Sequence, residues 1–245
     1  MPFSIKTSVS SHDIDTNLNA TPSAVVRYLL EAVDSNMREC GPSYQELFDK
    51  GMSFIVSRTA VELSRPLREY EALTVSTWAT PSKSATFPRS YTIEADGETV
   101  AKCVMTWALV DINEGKLLRG DALDVGGYGT GDVLELDIPS RLRIPKEINF
   151  NYADSVKVAF RDIDRNFHMN NTRYFDILFG LIPDFNKYYM SSCLVNYISE
   201  ARLDDIIKIY VSDIYFEDDG KPSVYFRTEV NDKTNVEAKF TLGEI

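Results

Sequence analysis

The 245 residues read as an α+β chain made of two sister units, each a helix followed by antiparallel strands. One sign is an internal echo: Asp13-Ile-Asp-Thr-Asn-Leu-Asn19 returns in the second half as Asp162-Ile-Asp-Arg-Asn-Phe-His168. Another is order, since residues at helical spacing follow each copy of the echo and β-branched stretches follow each helix. Length agrees, because two units of about 100 to 120 residues suit this chain better than one. The units are then residues 1–125 and 153–245, with 126–152 as the linker between them.

In the first unit Thr21, Pro22 and Ser23 form a helix start, and Val25, Val26, Leu29, Leu30 and Val33 recur at helical spacing. A helix of about three turns is expected there. Strands follow at Ser53–Leu63, Leu73–Ala79, Arg89–Glu94 and Thr99–Asp111, with Asp96 and Gly97 turning the chain between the last two. Gly126, Gly127, Gly129, Gly131, Pro139 and Pro145 mark a crossing segment, and their spacing is not that of a dinucleotide-binding loop. In the second unit Asn170 or Asn171 can cap a helix bearing Tyr174, Phe175, Leu178 and Phe179, with Pro183 beyond its end. Strands are expected at Ser192–Ala201, Ile206–Phe216, Pro222–Val230 and Val236–Leu242. Laying Ile55–Val61 on Leu194–Glu200 sets Val61 where the second copy has Glu200. The first copy then lacks both the histidine and the acid.

A net charge of −11 disfavours nucleic acid as a partner and gives no sign of a membrane-binding surface. No apolar run approaches the roughly 20 residues that span a bilayer. The first residues lack a basic region followed by an apolar stretch, so a cytoplasmic location is expected. Cys40, Cys103 and Cys193 are odd in number and far apart, which suits reduced packing residues rather than a disulfide framework or a zinc cluster. With only His12 and His168, a multi-histidine metal site is all but excluded.

His168 has the one side chain in the motif whose ordinary pKa, about 6.5, suits proton transfer near neutrality. A lone histidine is more often part of a local turn, but Asp164, Asn166, Asn170 and Asn171 around it favour a general base. Asp164 can orient the imidazole or simply form a turn, and Asn166 offers an amide donor to a developing oxyanion. The following helix start adds backbone N–H groups. No Gly-x-Ser-x-Gly elbow is present, so water is the expected nucleophile. Glu200 shares an alternating face with Leu194 and Ile198, where a carboxylate needs a partner. His168 is one answer, and an exposed strand end is the other.

The run Asp164-x-Asn166-x-His168-x-Asn170-Asn171-x-x-Tyr174, the later Tyr197-Ile-Ser-Glu200, and the stretch from Thr106-Trp107 through Asp111 to Leu118 and Arg119 resemble the acyl-acyl carrier protein thioesterases of plants and bacteria. The resemblance implies a tandem hotdog fold, two long helices each wrapped by an antiparallel sheet, with the sheets joined side by side. It also implies hydrolysis of fatty acyl-acyl carrier protein in fatty acid biosynthesis, without metal or cofactor, by Asp164, Asn166, His168 and Glu200. The first unit would house the acyl tail, with Phe54, Trp78, Phe87 and Trp107 as candidate walls. Many members carry cysteine after the glutamate; here Ala201 stands there, which favours water. The family's carrier is acidic, so docking needs a local basic surface, for which Arg141, Arg143 and Lys146 are candidates. No nucleic acid or membrane partner is implied, and a homodimer stays open. A hydratase or dehydratase on the same fold, and a silent acyl-binding module, are the alternatives.

Overall fold

The protein is described by a computed structural model covering residues 1–82, 84–217 and 219–245. The first helix, α1, spans Pro22–Cys40. Thr21 caps it, its Oγ1 accepting from the Ala24 N–H, and Pro22 occupies the first turn, where its missing N–H costs nothing. It runs past the expected three turns because Asn36 and Met37 continue the buried face beyond Asp34 and Ser35. Around α1 lie β1 (Phe3–Ser8), β2 (Met52–Leu63), β3 (Ala72–Ala79), β4 (Thr86–Ala95), β5 (Glu98–Asp111) and β6 (Lys116–Leu118), with a short helix α2 (Tyr44–Asp49) leading into β2. The second unit holds β7 (Asn151–Lys157), α3 (Arg173–Phe179), β8 (Tyr188–Tyr197), β9 (Ile206–Val211), β10 (Tyr215–Phe216), β11 (Pro222–Val230) and β12 (Lys233–Glu244).

All the strand pairs are antiparallel and form one sheet, in the order β1-β3-β4-β5-β2-β8-β12-β11-β9-β7. The order reads alike from either end. Its middle is the β2–β8 pair, running from Arg58 opposite Asn196 to Glu62 opposite Ser192. The fold is the double hotdog, with one departure: the second helix is short. α3 has seven residues against nineteen in α1. Gly180 follows it, the Leu181 and Ile182 N–H groups close tight turns onto Leu178 and Phe179, and Pro183 cannot continue a helix.

The two echo loops are built alike, bond for bond. Asp15 N–H reaches Asn19 O and Leu18 N–H reaches Asp15 O, just as Asp164 N–H reaches His168 O and Phe167 N–H reaches Asp164 O. Leu18 and Phe167 share a left-handed backbone, with φ of 60° and 61°. Asn19 bridges to Arg68 as His168 bridges to Arg202. Arg68 N–H donates to Glu71 as Arg202 N–H donates to Asp205. Counting back from these pairs, Pro66 stands where Glu200 stands. The alignment that set Val61 there is out of register, because alternating β-branched strands carry no unique mark to fix a match.

The helices also touch. Asp176 of α3 accepts from the Ser23 N–H at 2.9 Å, from Ser23 Oγ and from Thr21 Oγ1, so one unit's carboxylate covers the other unit's helix start. The connecting segment crosses the sheet face turned away from the helices, where Trp78 Nε1 donates to Asp132 O, Ile138 N–H to Glu62 and Arg58 Nη1 to Ser140 O. Among the described residues no helix is long and apolar enough to cross a membrane.

Candidate active site

The loop Asp164–Phe167 is an Asx turn. Asp164 Oδ1 accepts from the Asn166 N–H at 2.8 Å, which bends the chain so that Asn166 and His168 both line one cleft. The Asp164 carboxylate therefore shapes the loop. Asn166 Oδ1 accepts from Ser53 Oγ at 3.4 Å, which leaves the amide NH2 as its free end. The Met169 N–H donates to Ala201 O at 2.8 Å, locking the histidine loop to the segment after β8. That backbone bond brings Glu200 to His168: Nε2 lies 2.9 Å from Oε2.

Glu200 does not lie within a strand. β8 ends at Tyr197, and Glu200 sits in the following loop with its side chain half exposed. Its position is held from below by Asn235, which is buried. Asn235 O accepts the Ile198 and Ser199 N–H groups at 2.8 and 3.1 Å, its amide donates to Ser199 O, and its Oδ1 accepts from Tyr174 Oη at 2.7 Å and Thr228 Oγ1 at 3.1 Å. Asn235 thus ties α3, β11 and the Glu200 loop together. Nothing in its sequence neighbourhood marks it.

The helix start is less available than expected. Asn170 Oδ1 accepts from Thr172 N–H and Thr172 Oγ1, and Asn170 O takes the Arg173 N–H, so these donors are already bound. The Asn166 amide is a side-chain donor on the cleft it shares with the histidine.

The cleft has a volume near 460 Å³ and runs between α1 and the fork where β2 and β8 part. Burial raises the pKa of Asp34 on its α1 wall, against the opposing pull of Arg165. Phe54 and Trp107 meet edge to face at 6.2 Å, and Phe54 meets Phe87 at 5.3 Å. Behind them a narrow apolar recess of about 20 Å³ is lined by Val33, Met37, Phe87 and Tyr128, with Arg89 also on its wall. Trp78 is not part of this wall; it faces the other side of the sheet, bonded to the connecting segment. Cys103 and Cys193 are buried in the core with thiols pushed up by burial, and neither lines the cleft.

The matching place in the first unit is narrow. There Asp15, Asn19 and Pro66, with Phe179, Tyr188, Tyr189 and Met190 of the second unit, line a space of only about 20 Å³.

The sequence model of the acyl-ACP thioesterase N-terminal domain matches residues 2–120, and that of the C-terminal domain matches residues 143–242. The chain belongs to the acyl-ACP thioesterase family. A chloroplastic dodecanoyl-acyl-carrier-protein hydrolase of Cinnamomum camphora is 20% identical over 215 residues, covering 82% of this chain and 56% of that protein. The chain thus spans little more than half the length of this curated relative. Among solved structures, the 12:0-ACP thioesterase of Umbellularia californica superimposes with a TM-score of 0.85 at 18% identity, over 100% of this chain and 98% of that one. An acyl-ACP thioesterase of Bacteroides thetaiotaomicron gives 0.84 at 18% identity, over 98% and 97%. At these identities the structures establish the fold, and the family rests on the matched domains.

Proposed function

We propose that this family member hydrolyses the thioester of a fatty acyl group carried on acyl carrier protein, releasing the free acid and the carrier thiol. The observation that carries the reading is the contact of His168 Nε2 with Glu200 Oε2 at 2.9 Å, on the wall of a cleft that leads into an apolar recess. With its N–H turned to Glu200, a neutral imidazole keeps its other nitrogen as a base, and the carboxylate stabilises the imidazolium once it forms. Water loses a proton to that nitrogen and adds to the thioester carbonyl carbon. The Asn166 amide faces the developing oxyanion. Collapse of the intermediate breaks the carbon–sulfur bond, and His168 returns its proton to the departing thiolate. Asp164 acts on the loop that presents Asn166 and His168, and the acyl tail lies along the cleft against Phe54 and Trp107 of the first unit.

The test is thiol release from acyl-carrier substrates of several chain lengths by the native chain and by His168→Ala. The variant is expected to lose about 10² to 10⁴ in kcat while still binding substrate. Binding without turnover by the native chain would instead mark a silent acyl-binding module. Conversion of the acyl group without thiol release would mark a hydratase or dehydratase.

A further inference from the structure

Four arginines on the segments flanking the cleft hold their carboxylate partners at long range, although Arg173 also donates to Arg161 O at 2.7 Å and Arg165 lies over the Tyr44 ring. Among the described residues, the ion pairs longer than 3.1 Å are Arg161 and Arg173 to Asp162, Arg165 to Asp34, each at 3.8 Å, and Arg202 to Glu200 at 3.4 Å. All four arginines sit on the two segments that carry His168 and Glu200. Tight pairs occur away from this rim, as at Arg65–Glu71 (2.6 Å) and Lys208–Asp232 (2.9 Å). In a chain of net charge −11, loosely held guanidinium groups gathered in one place leave donors for something acidic.

The same two segments expose large apolar side chains. Phe167 is 79% exposed, and Phe160, Ile198 and Leu203 are exposed as well. The antiparallel bridge between His168 and Arg202 sets Phe167 across from Leu203. Arginine and aromatic residues together are the composition of an interface centre. The patch Arg141, Arg143 and Lys146 differs: these residues are exposed on the connecting segment, with Arg141 beside Arg58, and have no such aromatic company.

From this we infer that the cleft rim built by Arg161, Arg165, Arg173, Phe167 and Leu203 is the docking surface for an acidic acyl carrier protein, rather than the connecting segment. The inference rests on the thioesterase reading and adds the surface by which the carrier is recognised. Carrier contact with the two segments that hold His168 and Glu200 would deliver the thioester at the place where it is cut.

The experiment compares one acyl group on carrier protein and on pantetheine, with Leu203→Ser, the double variant Arg161→Ser/Arg173→Ser, and the triple variant Arg141→Ser/Arg143→Ser/Lys146→Ser. The rim variants are expected to raise KM for the carrier-linked substrate about tenfold. Their kcat on it, and both constants on pantetheine, should stay within about twofold. The double variant should also lose most of the salt dependence of that KM. The triple variant should behave as the native chain. Equal losses on both substrates, or an effect confined to the triple variant, overturn the proposal. Titration of acyl-carrier protein against the same variants reads docking without turnover, so a native chain that binds the carrier at the rim but releases no thiol sinks the thioesterase reading alone. A native chain that does not bind the carrier sinks the docking surface.

Discussion

Asn235 shows what a single buried amide does for chemistry it never touches. It fixes the backbone of Ile198 and Ser199 and receives the Tyr174 hydroxyl, so the loop bearing Glu200 and the helix after His168 share one anchor. Replacing Asn235 with Ala should let Glu200 drift from the imidazole, with kcat falling about 10²-fold and KM little changed. Tyr174→Phe, which removes one of these bonds, should fall less. Steady-state kinetics on protein whose circular dichroism is unaltered checks this; a rise in KM alone would place Asn235 in substrate binding. Asp164, Asn166 and His168, which line one cleft, stand in one local run and could be singled out from the sequence. For Glu200 the residues left two answers, a partnership with His168 or an exposed strand end, and the resemblance favoured the first. Asn235 could not be singled out, because its role comes from contacts across three elements.

At the scale of elements, the interior strands were readable because β-branched residues buried on at least one face leave a dense apolar signal. β1, β6 and β7 were missed at the sheet margins, where exposure removes that signal, as in β7 with all but one residue exposed. The shortness of α3 was hidden too, since Leu181 and Ile182 prolong the apolar pattern after the α-helix has ended. The contact between helices is a better mark of the joined architecture than either helix alone. Asp176→Ala strips the acceptor from the Ser23 N–H and from two hydroxyls, and should cost about 1–2 kcal/mol in chemical denaturation. A loss below about 0.3 kcal/mol would mean that water replaces the carboxylate without penalty.

Across the whole molecule, the sheet passes without a break through the β2–β8 pair. The two units therefore share hydrogen bonds and core at the seam, and the intact chain should unfold in one transition, coincident by near- and far-ultraviolet circular dichroism. Residues 1–125 or 126–245 alone would bare an unpaired strand edge at β2 or β8 and should associate rather than remain folded monomers. Two separate transitions in the intact chain would contradict this. The duplication could be read from the echo; the register between copies could not, because the strands offered no landmark until Arg68 and Arg202 were seen in matching bridges.

The narrow counterpart beside Asn19 and Pro66 has a consequence for stoichiometry. A symmetric pair of such units would serve two acyl groups at once, each free to influence the other's turnover. Here Phe179, Tyr188 and Tyr189 of one sister narrow the other's station, so the proposed reaction would have a single station per chain.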